Sequence, residues 1–117
     1  MKALVNISLC LLLTVGVGYS QVVNGKNVAQ KYGCFACHNI YGPKNAPGFK
    51  GISLRAKKSA NPEKYIINSI KNGSQGKWPR FRNMVMPSFK NISDEEAKAI
   101  AKWILSIPPK RVKNFGK

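Results

Sequence analysis

Acidic residues are scarce. The 117-residue chain has four, Glu63, Asp94, Glu95 and Glu96, against 20 lysines and arginines, for a formal net charge of +16. A charge of that size implies an acidic partner, an anionic membrane surface or nucleic acid. Histidine is scarcer still: His38 is the only one, and cysteine occurs at positions 10, 34 and 37 alone. There is no internal repeat, no low-complexity linker and no convincing alternating strand pattern, which leaves an all-α reading with long loops.

The chain begins like an export signal. Lys2 supplies the positive start and residues 7–17 form an uncharged, mostly apolar run. Gly16, Gly18 and Ser20 follow, and Gly18-Tyr19-Ser20 reads as a cleavage site before Gln21. The run is short for a membrane span. Cys10 lies inside it rather than after it, which excludes a lipoprotein cysteine. Removing residues 1–20 leaves one small domain, residues 21–117, with 19 basic and four acidic side chains and a net charge of +15. An exported chain with no recognisable nucleic-acid module is not expected to bind nucleic acid. Its bases are spread along the sequence, so much of the charge reads as solvated surface.

Three helices are predicted. The first runs from about Gly25 into the cysteine pair, with Val28, Ala29 and Tyr32 on its apolar face. The second opens at Asn61-Pro62, a cap residue and a proline suited to the first turn, carries Tyr65, Ile66, Ile67 and Ile70, and closes at Gly73. The third opens on a capping box, Ser93 with Glu96, where Asp94 and Glu95 add negative charge at the positive end of the helix dipole. Ala97, Ile100, Ala101, Ile104 and Ile107 recur at helical spacing before Pro108-Pro109. Residues 108–117 form a basic tail expected to fray. Residues 39–51 and 73–91 are rich in Gly, Pro and Asn and read as long loops, which in so small a domain need something to pack on.

The run Cys34-Phe35-Ala36-Cys37-His38 supplies it. Two thiols one helical turn apart can each form a thioether with a haem vinyl group, and the next residue brings an imidazole to the iron. A disulfide, a thioredoxin-like dithiol and half a zinc site are the alternatives. The dithiol lacks a strand before it, and zinc lacks further ligands once Cys10 has left. A second axial ligand must come from elsewhere. Met84 and Met86 are the only methionines besides Met1, and a methionine is by default a packing residue. A thioether pairs with histidine in c-type cytochromes, and Pro87 restrains the backbone beside Met86. Met86 is therefore favoured, with Met84 as the alternative.

These stretches together resemble the small monohaem bacterial class I cytochromes c, of the c-551/c-552 type, across most of residues 21–117. The likeness rests on Gly33-Cys34-Phe35-Ala36-Cys37-His38, Ala46-Pro47-Gly48-Phe49, Asn72-Gly73-Ser74-Gln75-Gly76-Lys77-Trp78, Met86-Pro87 and the closing helix. It implies an all-α fold of three main helices and long loops around one covalently bound haem c. It also implies Cys34 and Cys37 as attachment points and His38 and Met86 as axial ligands. Pro47 would offer its carbonyl to His38, and Trp78 would donate to a haem propionate. By residue type alone Pro47 is equally a turn proline, and Trp78 a packing aromatic. Arg55 is a further propionate candidate that its spacing does not single out. The chain departs from the family pattern between Trp78 and Met86, where Pro79-Arg80-Phe81-Arg82 is inserted, and after Pro87, where Ser88-Phe89 replaces Pro-Asn.

The resemblance implies an electron-transfer protein rather than an enzyme. The expectation is a monomeric carrier in the periplasm, steered by its charge to acidic redox proteins as donor and acceptor. Transient association with an anionic membrane surface is a further implication of that charge. The alternative is a cytochrome subunit of a periplasmic dehydrogenase complex, for example one oxidising a sulfur compound.

Overall fold

The computed structural model of the protein describes residues 23–111. The expected signal peptide and residues 112–117 of the basic tail lie outside the described residues. Helix α1 (Gly25–Lys31) starts at Asn24, whose side chain accepts a hydrogen bond from the Asn27 amide. It does not continue into the cysteines. Gly33 takes a left-handed conformation, φ 76°, which ends the helix. The chain then restarts as a single 3₁₀ turn, Cys34–Ala36.

Helix α2 (Phe49–Ala56) is an addition to the three predicted helices. Its cap residue is Gly48, which has no side chain to offer, and no acidic residue marks its first turn. Packing stabilises it instead: Phe49, Ser53 and Ala56 recur at helical spacing and are buried. Helix α3 (Pro62–Asn72) follows its sequence signals, with the Asn61 side chain accepting from the Lys64 amide at 3.0 Å and Gly73 ending it at φ 80°. Helix α4 (Asp94–Ser106) carries the full capping box. Ser93 Oγ accepts from the Glu96 amide at 3.0 Å, and the Glu96 carboxylate accepts from the Ser93 amide.

Two very short strands, β1 (Ser74–Gln75) and β2 (Val85–Met86), pair antiparallel with Ser74 opposite Met86. Two residues per strand leave no alternation to read, so the ladder is invisible in the sequence. The architecture is all-α around it.

Helix α4 packs against α1, α2 and α3. At the α1 crossing, Gly25 lies so close that a Cβ there would sit 2.0 Å from the Ala99 carbonyl oxygen. The crossing therefore demands glycine, and small residues at Ala29, Ala97 and Ala101 are fully buried around it. Ile66, Ile70, Ile100 and Ile104 complete the core, each stabilising the fold by about 1.5–3 kcal/mol. Phe49 stands edge-on to both Phe35 and Trp103, with ring centroids 5.4 and 5.1 Å away. Tyr32 stacks edge-on against Phe89 at 6.0 Å while its hydroxyl donates to Glu96 at 2.8 Å. Tyr32 and Trp103 are thus helix-packing residues.

Candidate functional site

The helices enclose a cleft of about 1160 Å³, part of it open to solvent. Cys34, Cys37, His38, Pro47, Trp78, Met84 and Met86, the residues singled out from the sequence, all line it. Apolar side chains from every helix but the first form the remaining walls, among them Phe49, Ile52, Ile66, Ile70, Ile100 and Ile104. Such a cleft suits a large, mostly apolar group with few polar anchors.

Backbone pairing sets the histidine wall. The Ala46 amide donates to the Cys37 carbonyl at 3.1 Å, Phe49 to Asn39 at 2.8 Å and Lys50 to Ile40 at 2.8 Å. Gly48 permits this approach, since a Cβ there would lie 2.5 Å from the Tyr41 carbonyl oxygen. The pairing brings the Pro47 carbonyl to His38 Nδ1, 2.6 Å away. A carbonyl oxygen can only accept, so the proton lies on Nδ1 and Nε2 keeps its lone pair. Burial pushes the His38 imidazole below its ordinary pKa, and the Pro47 hydrogen bond opposes that shift. The neutral ring, 8% exposed, lies against Phe49 with centroids 5.0 Å apart. It is a ligand-ready imidazole of fixed tautomer and orientation.

Both neighbouring cysteines are free, Cys34 half-buried and Cys37 exposed. Burial pushes the Cys34 thiol up, away from thiolate character. Among the described residues, no group of three or more His, Cys, Asp or Glu could hold a metal ion. The site thus offers one imidazole, two thiols and thioethers, a donor set that fits covalently held haem.

Met86, which also lines the cleft, is half-buried and packed on the core, whereas Met84 is 47% exposed. Met86 owes its position to the β1–β2 ladder, to the Phe89 amide donating to Ile70 at 2.9 Å, and to Gly73. A Cβ on Gly73 would meet the Met86 carbonyl oxygen at 2.7 Å.

Trp78 has the Arg55 guanidinium over its ring at 4.7 Å, and Arg55 also donates to the Lys77 carbonyl. Arg55, which spacing did not mark, thus has a role beside Trp78, as a clamp on the indole. Tyr65 was legible only as part of an apolar helix face. Its ring lines the cleft, and its hydroxyl is buried without a hydrogen-bond partner. A buried, unpaired phenol costs about 1–3 kcal/mol unless a bound group satisfies it, which fits a cofactor with polar substituents. Lys77 lies over the same ring at 4.9 Å and donates to Ser69 at 2.9 Å. Neither the phenol nor this lysine had a signal in the sequence, because helix α3 and the loop after β1 meet only in the fold.

A family model described as cytochrome c matches residues 22–108. Cytochrome c-552 of Nitrosomonas europaea is 34% identical over 90 residues, covering 77% of this chain and 82% of its own. Cytochrome c-552 of Hydrogenobacter thermophilus is 32% identical over 97 residues, covering 83% and 94%. The crystal structure of the Nitrosomonas europaea protein superposes with a TM-score of 0.61 at 35% identity, covering 68% of this chain and 95% of that one.

Proposed function

Because the chain belongs to the cytochrome c family, as a small class I monohaem electron carrier with covalent haem c, we propose that it is a diffusible periplasmic carrier. In this reading Cys34 and Cys37 bear the thioethers, His38 and Met86 are the axial ligands, and residues 1–20 are the export signal. One observation carries the ligand assignment: His38 is buried at the cleft with its Nδ1 proton held by Pro47, beside two free thiols and on a cleft that Met86 also lines.

When bound, haem iron supplies a one-electron couple. The chain's own contribution is to hold and insulate. Pro47 keeps the imidazole from rotating, Phe49 supports its face, and the isoleucine walls exclude water. The Met86 thioether, on a strand pinned to β1, would serve as the second iron ligand, which suits transfer without bond making. Trp78, clamped by Arg55, and the Tyr65 hydroxyl are the donors assigned to the carboxylates of the cofactor. The signal-like sequence of residues 1–20 supports the periplasmic assignment, and the large positive charge supports acidic donors and acceptors.

The test is an absorption spectrum of the holoprotein in both redox states, repeated on Met86→Ala and Met84→Ala. The thioether–iron charge-transfer band is expected to vanish only in Met86→Ala. Its loss in Met84→Ala alone would reverse the ligand assignment.

A further inference from the structure

Asparagine is followed by glycine twice in the chain, at Asn24-Gly25 and Asn72-Gly73. Glycine has no Cβ to shield its amide nitrogen or to restrain its backbone, so that nitrogen can reach the carboxamide carbon of the asparagine before it. The fold treats the two pairs oppositely. The Asn24 side chain accepts from the Asn27 amide at 3.1 Å and its main-chain carbonyl accepts from the Val28 amide at 3.0 Å. Gly25 is buried against the Ala99 carbonyl, with no room to swing. Asn72, in contrast, is exposed and is the last residue of α3, where a helix opens most readily. Among the described residues its carboxamide is untethered, and the Gly73 amide makes no backbone hydrogen bond.

We propose that Asn72-Gly73 is a self-modification site, deamidating to isoaspartate and thereby ageing the carrier, while Asn24-Gly25 is kept unreactive by the fold. The Gly73 nitrogen loses its proton and bonds to Cγ of Asn72, and the side-chain nitrogen leaves as ammonia. Water then opens the resulting succinimide at either carbonyl, giving aspartate or isoaspartate at position 72. Water is the sole co-reactant, and no electrons are transferred.

Isoaspartate routes the main chain through the side-chain carbon and so inserts one methylene directly before Gly73. Gly73 has no slack to receive it. A Cβ there would already meet the Met86 carbonyl oxygen at 2.7 Å and the Ser88 nitrogen at 3.2 Å. Packed backbone transmits such a displacement rather than absorbing it, so the Ser74–Met86 pair loosens and the methionine shifts. Either product also places a carboxylate at the negative end of the α3 dipole, the first acid between Glu63 and Asp94. The consequence for the thioether rests on the Met86 ligand reading, whereas the modification itself does not.

The experiment incubates oxidised holoprotein at mildly alkaline pH, with a parallel sample of the full chain in denaturant. Peptide mass mapping follows the gain of about one dalton as the carboxamide becomes a carboxylate, and isoaspartyl methyltransferase labelling counts isoaspartate. In the folded protein position 72 is expected to react at least about tenfold faster than position 24. In denaturant the two are expected to differ by less than about twofold. Equal rates in the folded protein, or reaction at position 24 first, would overturn the assignment. The thioether–iron band is expected to weaken in step with isoaspartate at position 72. It should persist in Asn72→Gln, whose longer side chain disfavours ring closure, and in Asn72→Asp, which has the charge without the added methylene. An intact band in the purified isoaspartyl form, or equal weakening in Asn72→Asp, would refute the proposed displacement. Neither result bears on the ligand assignment, which Met86→Ala tests separately.

Discussion

Replacing Gly73 with alanine tests whether the backbone before β1 holds Met86 in place. Gly73 has φ 80° and ψ 175°, a region open almost only to glycine. Forcing alanine there costs about 1–3 kcal/mol in backbone strain alone. The new Cβ would also lie 2.7 Å from the Met86 carbonyl oxygen, and ordinary contact begins at 3.4 Å. That oxygen belongs to backbone in the ladder, so β2 must move by about 0.7 Å or the ladder must open. Gly76→Ala is the matched control: Gly76 has φ 77° and nothing within 4 Å of its would-be Cβ. Both variants carry the backbone cost, and only Gly73→Ala displaces Met86. For a domain of this size about 2 kcal/mol lowers Tm by roughly 8–16 °C. Thermal unfolding of the two oxidised holoproteins is therefore expected to show a loss of that order in each, larger for Gly73→Ala. The thioether–iron band should weaken or shift in Gly73→Ala alone. An equal change of the band in both variants would refute the idea that this contact positions the methionine, as would an unaltered band in Gly73→Ala.

Phe49→Ala removes a ring lying against His38, Phe35 and Trp103; it is expected to cost about 3–5 kcal/mol in denaturant unfolding and to broaden the His38 ring resonances. Glu96 is held below its ordinary value, near 4.5, chiefly by the Tyr32 hydroxyl and then by Lys31. Its stabilisation is complete above that ordinary value and is lost as pH falls through the lower folded value, so Glu96→Gln should flatten the acid limb of a Tm-against-pH curve. Lys50 Nζ donates to the Ile107 carbonyl at 2.7 Å, closing the end of α4; Lys50→Met should lower stability by about 1 kcal/mol and speed amide exchange at the last turn of that helix.

What could be read from the sequence was local. The caps of α3 and α4 are short-range devices, Asn61 with Pro62 and Ser93 with Glu96, and both occur where the residues indicate. The cysteine pair and His38 were visible because their chemistry needs only adjacent positions. Helix α2 was missed because its cap is a glycine and a second glycine, Gly51, interrupts its stripe, so its support comes from packing against α3 and α4. The His38–Pro47 hydrogen bond followed from family resemblance rather than residue type, since it depends on the pairing of residues 37–40 with 46–50. The Tyr65 hydroxyl and the Arg55 clamp depend on contacts between elements far apart in sequence, which no local pattern encodes.

The two-residue ladder divides one stretch of chain between two tasks. Ser74 opposite Met86 and Gln75 opposite Val85 close residues 76–84 into a loop at its base. Lengthening a flexible loop is thermodynamically cheap, about 0.6 kcal/mol for a doubling, and the ladder keeps such a change from re-registering the methionine. Arg80, Arg82 and Asn83, which do not line the cleft, are thus free to change in charge, while Trp78 and Met86 keep their places on its wall. A carrier could acquire a new correspondent by editing those exposed positions and leave the walls of its cleft untouched.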